Sequence, residues 1–289
     1  MEDMLELLTN ANTQWVLLGA MILGFASGLI GSFVLLKRQS LIGDAMAHAT
    51  LPGVCLAYLI FGVKSIPLFL LGAACTGLLA TYFIQAIVKH SRIKTDASIG
   101  VVLSVFFGLG IVLLTYISKN TTGDKSGLDD FIFGQAAAMV KGDIQVIAVG
   151  SLLIILVSSL FFKELKISIF DPLFAKGIGL PVGLFNGILM GLVVGIVVVG
   201  IQMVGVVLIA ALLITPPLAA RYWTDQLGHM SFLSGVIGSI SGVVGTLIST
   251  TGEGLPTGPL IVLCASTIFL FSLLLGTRKG LIAKVVRQA

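Results

Sequence analysis

Long apolar stretches separated by short polar turns run through this chain of 289 residues. Each stretch is close to the ~20 residues that an α-helix needs to cross a hydrocarbon layer of ~30 Å. The pattern therefore predicts an all-α, polytopic membrane protein with about nine transmembrane helices. We place the helices at residues 15–36, 42–61, 66–88, 97–117, 142–162, 181–199, 203–220, 231–249 and 257–276.

One apolar stretch is too long for a single crossing. No charged residue occurs between Gly177 and Ala220. We expect two helices there, with the break near Gly200, Ile201 and Gln202, where small and polar residues interrupt the apolar run.

Basic residues predict the orientation of the chain. Lys and Arg follow the first, third, fifth, seventh and ninth predicted helices, and cytoplasmic loops carry such an excess. We therefore expect the N-terminus outside and the C-terminus in the cytoplasm. The residues concerned are Lys37, Arg38, Lys89, Arg92, Lys94, Lys163, Lys166, Lys176, Arg221, Arg278, Lys279, Lys284 and Arg287.

The composition supports this interpretation. Hydrophobic residues make up 57% of the chain and charged residues 10%, against about 25% charged in a soluble domain. Mean hydropathy is +1.11. We expect residues 1–289 to form one transmembrane domain in a lipid bilayer. The net charge of +4 lies in short loops and at the C-terminus, so it does not indicate a nucleic-acid partner.

Glycine spacing indicates close helix packing. The motifs Gly24-x-x-x-Gly28, Gly238-x-x-x-Gly242 and Gly187-x-x-x-Gly191-x-x-x-Gly195 all follow the small-x-x-x-small pattern of membrane helix interfaces. We expect these three faces to contact other helices.

The connection over residues 163–180 has the signals of a short helix in a cytoplasmic loop. Asp171 suits an N-cap and Pro172 the first helical position, while Gly177 or Gly179 can end the helix. Such a helix of about two turns would expose Leu173 and Phe174. From these residues alone, the exposed apolar ridge either docks a partner or lies on lipid.

Asp44 and His48 form the most informative pair in the chain. They are spaced i, i+4 at the start of an apolar helix, so both project from the same helix face. A carboxylate and an imidazole together suit manganese, ferrous iron or zinc. In the alternative, Asp44 caps the helix and His48 bonds to a neighbouring helix. Two ligands are too few for a metal shell, but two copies of the chain would supply four.

Glu253 lies in a predicted outside turn before the last helix. It is either a solvated turn residue or a contact for an extracellular partner.

Several sequence motifs of enzymes are absent. The chain has no G-x-x-x-x-G-K-[ST] to bind nucleotide phosphates, and no H-E-x-x-H or G-x-S-x-G for hydrolysis. We therefore expect no enzymatic role. Active transport would need an ion gradient or a separate ATPase.

The run from Gly43 to Gly53 resembles the signature of the membrane subunits of bacterial manganese/zinc/iron ABC importers, the metal ABC-3 permeases. Ala47, Thr50 and Pro217 depart from the usual pattern, but none replaces a candidate ligand. The resemblance continues through Lys94–Gly100, Asp129–Gly134, Phe170–Pro172, Gln202–Gly205, Leu213–Pro217 and Leu255–Pro259.

This resemblance implies a type II ABC importer fold, in which a homo- or heterodimer of permeases works with two cytosolic ATPases and an extracytoplasmic metal-binding protein. Asp44 and His48 match the positions implicated in metal passage. Phe170, Asp171, Pro172, Leu173, Phe174, Ala175 and Lys176 match the coupling helix that docks on the ATPase, and this favours docking over lipid contact for the ridge.

The resemblance implies a permease subunit that imports divalent metal across the bacterial cell membrane, with manganese favoured over zinc or iron and no permanently bound cofactor. The alternative from the residues is a proton-coupled secondary transporter, in which Asp44 and His48 titrate. A membrane scaffold is the third possibility.

The positive-inside pattern places Asp44 close to the inner face, whereas an importer site is expected deeper in the membrane. Tilted or unwound helices would reconcile the two.

Overall fold

The computed structural model describes residues 11–62, 65–120, 139–251 and 255–281. These residues form helices joined by short turns, as the apolar pattern predicts. The helices are α1 (Ala11–Leu36), α2 (Ile42–Phe61), α3 (Ile66–His90), α4 (Thr95–Asn120), α5 (Lys141–Leu160), α6 (Phe162–Phe170), α7 (Pro172–Gly177), α8 (Val182–Val204), α9 (Val206–Arg221), α10 (Leu227–Thr251) and α11 (Thr257–Leu275).

Nine of these helices correspond in order to the nine predicted spans. Within the described ranges, eight are long and apolar enough to cross a membrane. The exception is α9, whose 16 residues extend about 24 Å at 1.5 Å per residue. The all-α membrane fold is therefore confirmed, with one apolar helix shorter than the hydrocarbon layer is thick.

The break in the long apolar stretch lies at Gly205, and our placement at Gly200–Gln202 was wrong. Gly205 has φ 92°, a backbone conformation that favours glycine. Gly200 stays helical and serves a different purpose, because the side chain of Ile209 packs directly over it. Gly205 therefore allows the reversal, and Gly200 makes room for the helix that follows it.

The reversal between α8 and α9 is inside the protein. The residues from Gly200 to Val206 are all buried, and Gln202 is only 7% exposed. The Oε1 atom of Gln202 has no hydrogen-bond partner among the described residues. Non-helical backbone is tolerated at membrane depth where protein covers it, and this turn meets that condition.

Helices α1 and α10 cross in close contact. Gly24 and Gly238 face each other so closely that a Cβ atom on either would collide with the other's carbonyl group. Beside them Ser234 Oγ donates to the Gly28 carbonyl at 2.7 Å. The predicted contact of these two glycine motifs is confirmed. The third motif contacts another helix only at Gly195, whose Cβ position lies 3.4 Å from Ile154 of α5, whereas a Cβ built on Gly187 or Gly191 meets no atom beyond its own stretch of helix among the described residues.

Replacing Gly238 by leucine is expected to destabilise the fold. The new side chain would push α10 away from the Gly24 backbone, and overpacking of this kind costs about 1–3 kcal/mol or more. Gly187→Leu is the matched control, because its Cβ position is open. We expect only Gly238→Leu to lower the temperature at which the detergent-purified chain loses its monodisperse chromatographic peak. Equal melting of the two variants would contradict the close α1–α10 contact.

Candidate metal site and coupling segment

Asp44 and His48 are brought together in the first two turns of α2. The Nε2 atom of His48 lies 3.5 Å from Oδ1 of Asp44. The N-cap residue of α2 is Leu41, and its helix end has no side-chain capping bond. Asp44 therefore does not cap the helix, and its carboxylate is directed at the imidazole one turn further on.

The ring of His48 is held from the side by α4. Its centroid lies 4.8 Å from that of Phe107, with an angle of 71° between the ring planes, which is an edge-to-face contact. This contact fixes the ring and leaves its polar edge towards Asp44. On the other side Gly43 packs against Leu213 of α9. The pair therefore sits on a helix that is wedged between α4 and α9.

Both side chains remain partly exposed in the single chain. The side chain of His48 is 20% exposed and that of Asp44 is 41% exposed. A carboxylate in a bilayer costs about 2.5–3.5 kcal/mol at the helix centre, so lipid is a poor environment for this surface. Water, a cation or another protein surface would each relieve that cost.

The chain on its own does not complete a metal shell. Among the described residues there is no group of three or more His, Cys, Asp or Glu side chains that could hold a metal ion. Manganese favours about six ligands in octahedral geometry. Asp44 and His48 would offer a metal one oxygen and one nitrogen ligand type, so a complete shell would need further ligands from outside this part of the chain.

The helix predicted in the connection over residues 163–180 is present as α7. The side chain of Asp171 accepts a hydrogen bond of 2.9 Å from the Phe174 N–H, and Pro172 is the first helical residue. Gly179, with φ 84°, follows the helix end. The local signals for its start and end are confirmed.

The exposed ridge of α7 is also present. Leu173 is 80% exposed and Phe174 57% exposed, while Ala175 is fully buried. Phe170, at the end of α6, is 59% exposed, and Lys176 is exposed. The segment from Phe170 to Lys176 is thus anchored through one alanine and presents its larger side chains outward.

Helix α6 was missed by the sequence analysis. A single residue, Phe161, separates it from the end of α5. It carries Phe162, whose ring contacts Phe33 of α1 at a centroid distance of 5.3 Å. Leu165 is 1% exposed. The spacing of the half-buried Phe162 and the buried Leu165 and Ser168 was the available signal. The three charged residues Lys163, Glu164 and Lys166 instead led us to predict a loop.

Two predicted features lie outside the described residues. These are Glu253, the candidate contact for an extracellular partner, and the motif over residues 129–134.

The fold and this site define a class: a polytopic α-helical membrane protein that carries a carboxylate–imidazole pair on one of its spans. The chain belongs to the ABC 3 transport family, whose sequence model matches residues 9–276.

Curated relatives in this family are similar over most of this chain. It is 56% identical over 280 residues to the manganese transport system membrane protein MntC of Bacillus subtilis (strain 168), which covers 97% of this chain. The chain spans 64% of the length of that relative. It is also 43% identical over 288 residues to the zinc transport system membrane protein TroC of Treponema pallidum (strain Nichols), covering 100% of this chain and 97% of that one.

Solved structures have the same architecture. PsaBC from Streptococcus pneumoniae in complex with Fab gives a TM-score of 0.84 at 34% identity, covering 99% of each chain. An inward-facing conformation of a metal-chelate type ABC transporter gives 0.69 at 16% identity, covering 89% of this chain and 84% of that one. The second match supports the fold alone.

Proposed function

We propose that this chain is the membrane permease subunit of an ATP-driven importer of divalent metal ions. The observation that carries the proposal is the Asp44–His48 pair, 3.5 Å apart on a membrane helix, in a member of a transport family. In a transporter, such a pair would hold a metal ion during its passage through the membrane. The ion would also offset the charge of the part-exposed Asp44 carboxylate.

The mechanism requires two protomers. Asp44 and His48 from each would give two carboxylates and two imidazoles around a shared axis. The carboxylates offset the charge of a divalent ion in a low-dielectric setting, and Phe107 restricts the orientation of the imidazole. Because Asp44 is in the first turn of α2, the ion would meet this pair near the cytoplasmic end of its path.

Manganese is the favoured ion, with zinc and iron as alternatives. Asp44 is a hard oxygen ligand and His48 a borderline nitrogen ligand, a mixture that all three ions accept. The relative in Bacillus subtilis is named a manganese transport protein and that in Treponema pallidum a zinc transport protein. The higher identity to the manganese protein supports our order of preference.

The remaining parts of the importer would be separate chains. We place a cytosolic ABC ATPase on the ridge from Phe170 to Lys176 and an extracytoplasmic metal-binding protein on the opposite side, with Glu253 as a candidate contact. The N-terminus would then be outside the bacterial cell membrane and the C-terminus in the cytoplasm. ATP hydrolysis would take place in the partner subunits, and the second permease protomer would be identical or closely related.

Dependence on an ATPase tests the proposal. We expect accumulation of radiolabelled manganese in cells to be lost when the P-loop lysine of the partner ATPase is replaced, because no other energy source is coupled to the chain. Competition by unlabelled manganese, zinc and iron would rank the ions. A proton-coupled transporter would instead accumulate metal in vesicles that hold this chain alone with a pH gradient, and that result would overturn our assignment.

A further inference from the structure

A cavity of about 260 Å³ lies at the end of the protein where the α1–α2 connection, the end of α3 and the starts of α4 and α8 meet. Its volume is slightly below the roughly 300–1,000 Å³ range of small-molecule sites. Apolar and polar side chains both line it, and the polar ones are Lys37, Gln39, Thr81, Gln85, Lys89, Thr95 and Asn186.

The cavity has unbalanced positive charge. Among the described residues neither Lys37 nor Lys89 has a carboxylate partner, and no Asp or Glu is among the lining residues. Burial lowers the pKa of Lys37 to about 8, so the amine is still mostly protonated at neutral pH although it is poorly hydrated. An anion in the cavity would stabilise this charge.

The cavity continues into an exposed apolar face of α3. Leu78, Tyr82, Gln85 and Lys89 follow one another at spacings of four, three and four residues, so they share a helix face. Leu78 is 52% exposed and Tyr82 65% exposed. On a membrane-spanning helix this face suits an acyl chain whose headgroup lies at Gln85 and Lys89.

We propose that this cavity binds the phosphodiester headgroup of an anionic phospholipid such as phosphatidylglycerol, with the acyl chains along α3. The two amines of Lys37 and Lys89 would contact phosphate oxygens. Basic pockets between membrane helices are a known means of binding acidic lipid headgroups.

The cavity is separate from the candidate metal site. Neither Asp44 nor His48 is among its lining residues, and two unpaired lysines would repel a divalent cation. The lipid site therefore does not depend on the proposed transport function, and its test measures bound lipid directly.

The test is native mass spectrometry of the full chain with its partner subunits, extracted from vesicles of phosphatidylglycerol and phosphatidylcholine. We expect retention of phosphatidylglycerol in preference to phosphatidylcholine. The double variant Lys37→Gln, Lys89→Gln should weaken this retention roughly thirtyfold, at about 1 kcal/mol for each lysine near acidic headgroups. The matched control is Arg92→Gln, Lys94→Gln, which removes two exposed charges of the neighbouring turn that do not line the cavity.

Each outcome decides the proposal. Selective loss in the cavity variant, with the control unchanged, supports it. Equal loss in both variants would mean general surface attraction, and equal retention of the two lipids would mean no headgroup recognition; either result overturns the site. Release of the lipid by millimolar inorganic phosphate would assign the cavity to a free phosphate ion and would overturn the lipid assignment. If the double variant is poorly folded, the single variant Lys89→Gln, which removes an exposed amine that lines the cavity, should weaken retention of phosphatidylglycerol roughly fivefold, and unchanged retention would overturn the site.

Discussion

Replacement of Asp44 by alanine is expected to abolish metal uptake while the protein still folds. The change removes one carboxylate from each protomer, so a divalent ion would cross with imidazole ligands alone and without compensating charge. Changes to outer-shell partners of metal ligands already cost roughly 10–100-fold, and we expect loss of the ligand to exceed this. Uptake of radiolabelled manganese in cells is the measurement.

A matched control is available in the neighbouring helix. Asp96 is likewise a carboxylate in the first turn of a membrane helix, but the residue four positions later is Gly100 instead of histidine. Asp96→Ala should therefore retain uptake. The amount of Asp44→Ala protein in membranes and its association with the ATPase should match wild type. Full uptake by Asp44→Ala would refute the site assignment.

The second large effect is expected at the tip of α7. Leu173 is 80% exposed, and a glutamate in its place would carry a charge into the proposed apolar contact with the ATPase. Replacing a hot-spot residue of an interface costs 2 kcal/mol or more, so we expect association to weaken at least about thirtyfold. Co-purification of the ATPase with the chain measures this, and metal uptake should fall in parallel.

Ile93→Glu is the control for this change. Ile93 is also exposed, at 45%, in a turn at the same end of the protein, but it is not part of the segment from Phe170 to Lys176. If the ridge of α7 instead lies on lipid, Leu173→Glu would leave ATPase co-purification unchanged. That result would count against the docking role.

Features that depend on neighbouring residues in the chain could be predicted from the sequence. The start of α7 is one example, because the Asp171 side chain and the Phe174 N–H that it accepts from are three residues apart. The Asp44–His48 pair is another, since the helix period alone places both on one face. The apolar spans follow from the length that a bilayer requires.

Features that depend on contacts between distant segments could not be predicted. The chain reverses at Gly205 and not at Gly200, and no local rule distinguishes the two glycines; the packing of Ile209 over Gly200 exists only once the chain has reversed. The edge-to-face contact of His48 with Phe107 joins residues 59 positions apart in sequence. The cavity at Lys37 needs four chain segments, so its lining residues look like unrelated loop and helix-end positions in the sequence.

The one-residue connection at Gly205 is expected to couple the movements of α8 and α9. Because one residue separates these two helices, we expect a change in the tilt of α8 to displace the start of α9 as well. Helix α8 starts five residues after α7 ends, and α9 packs through Leu213 against Gly43, the residue next to Asp44. We therefore expect a displacement of α7 to be passed through α8 and α9 to Gly43, and so to change the position of the Asp44 carboxylate.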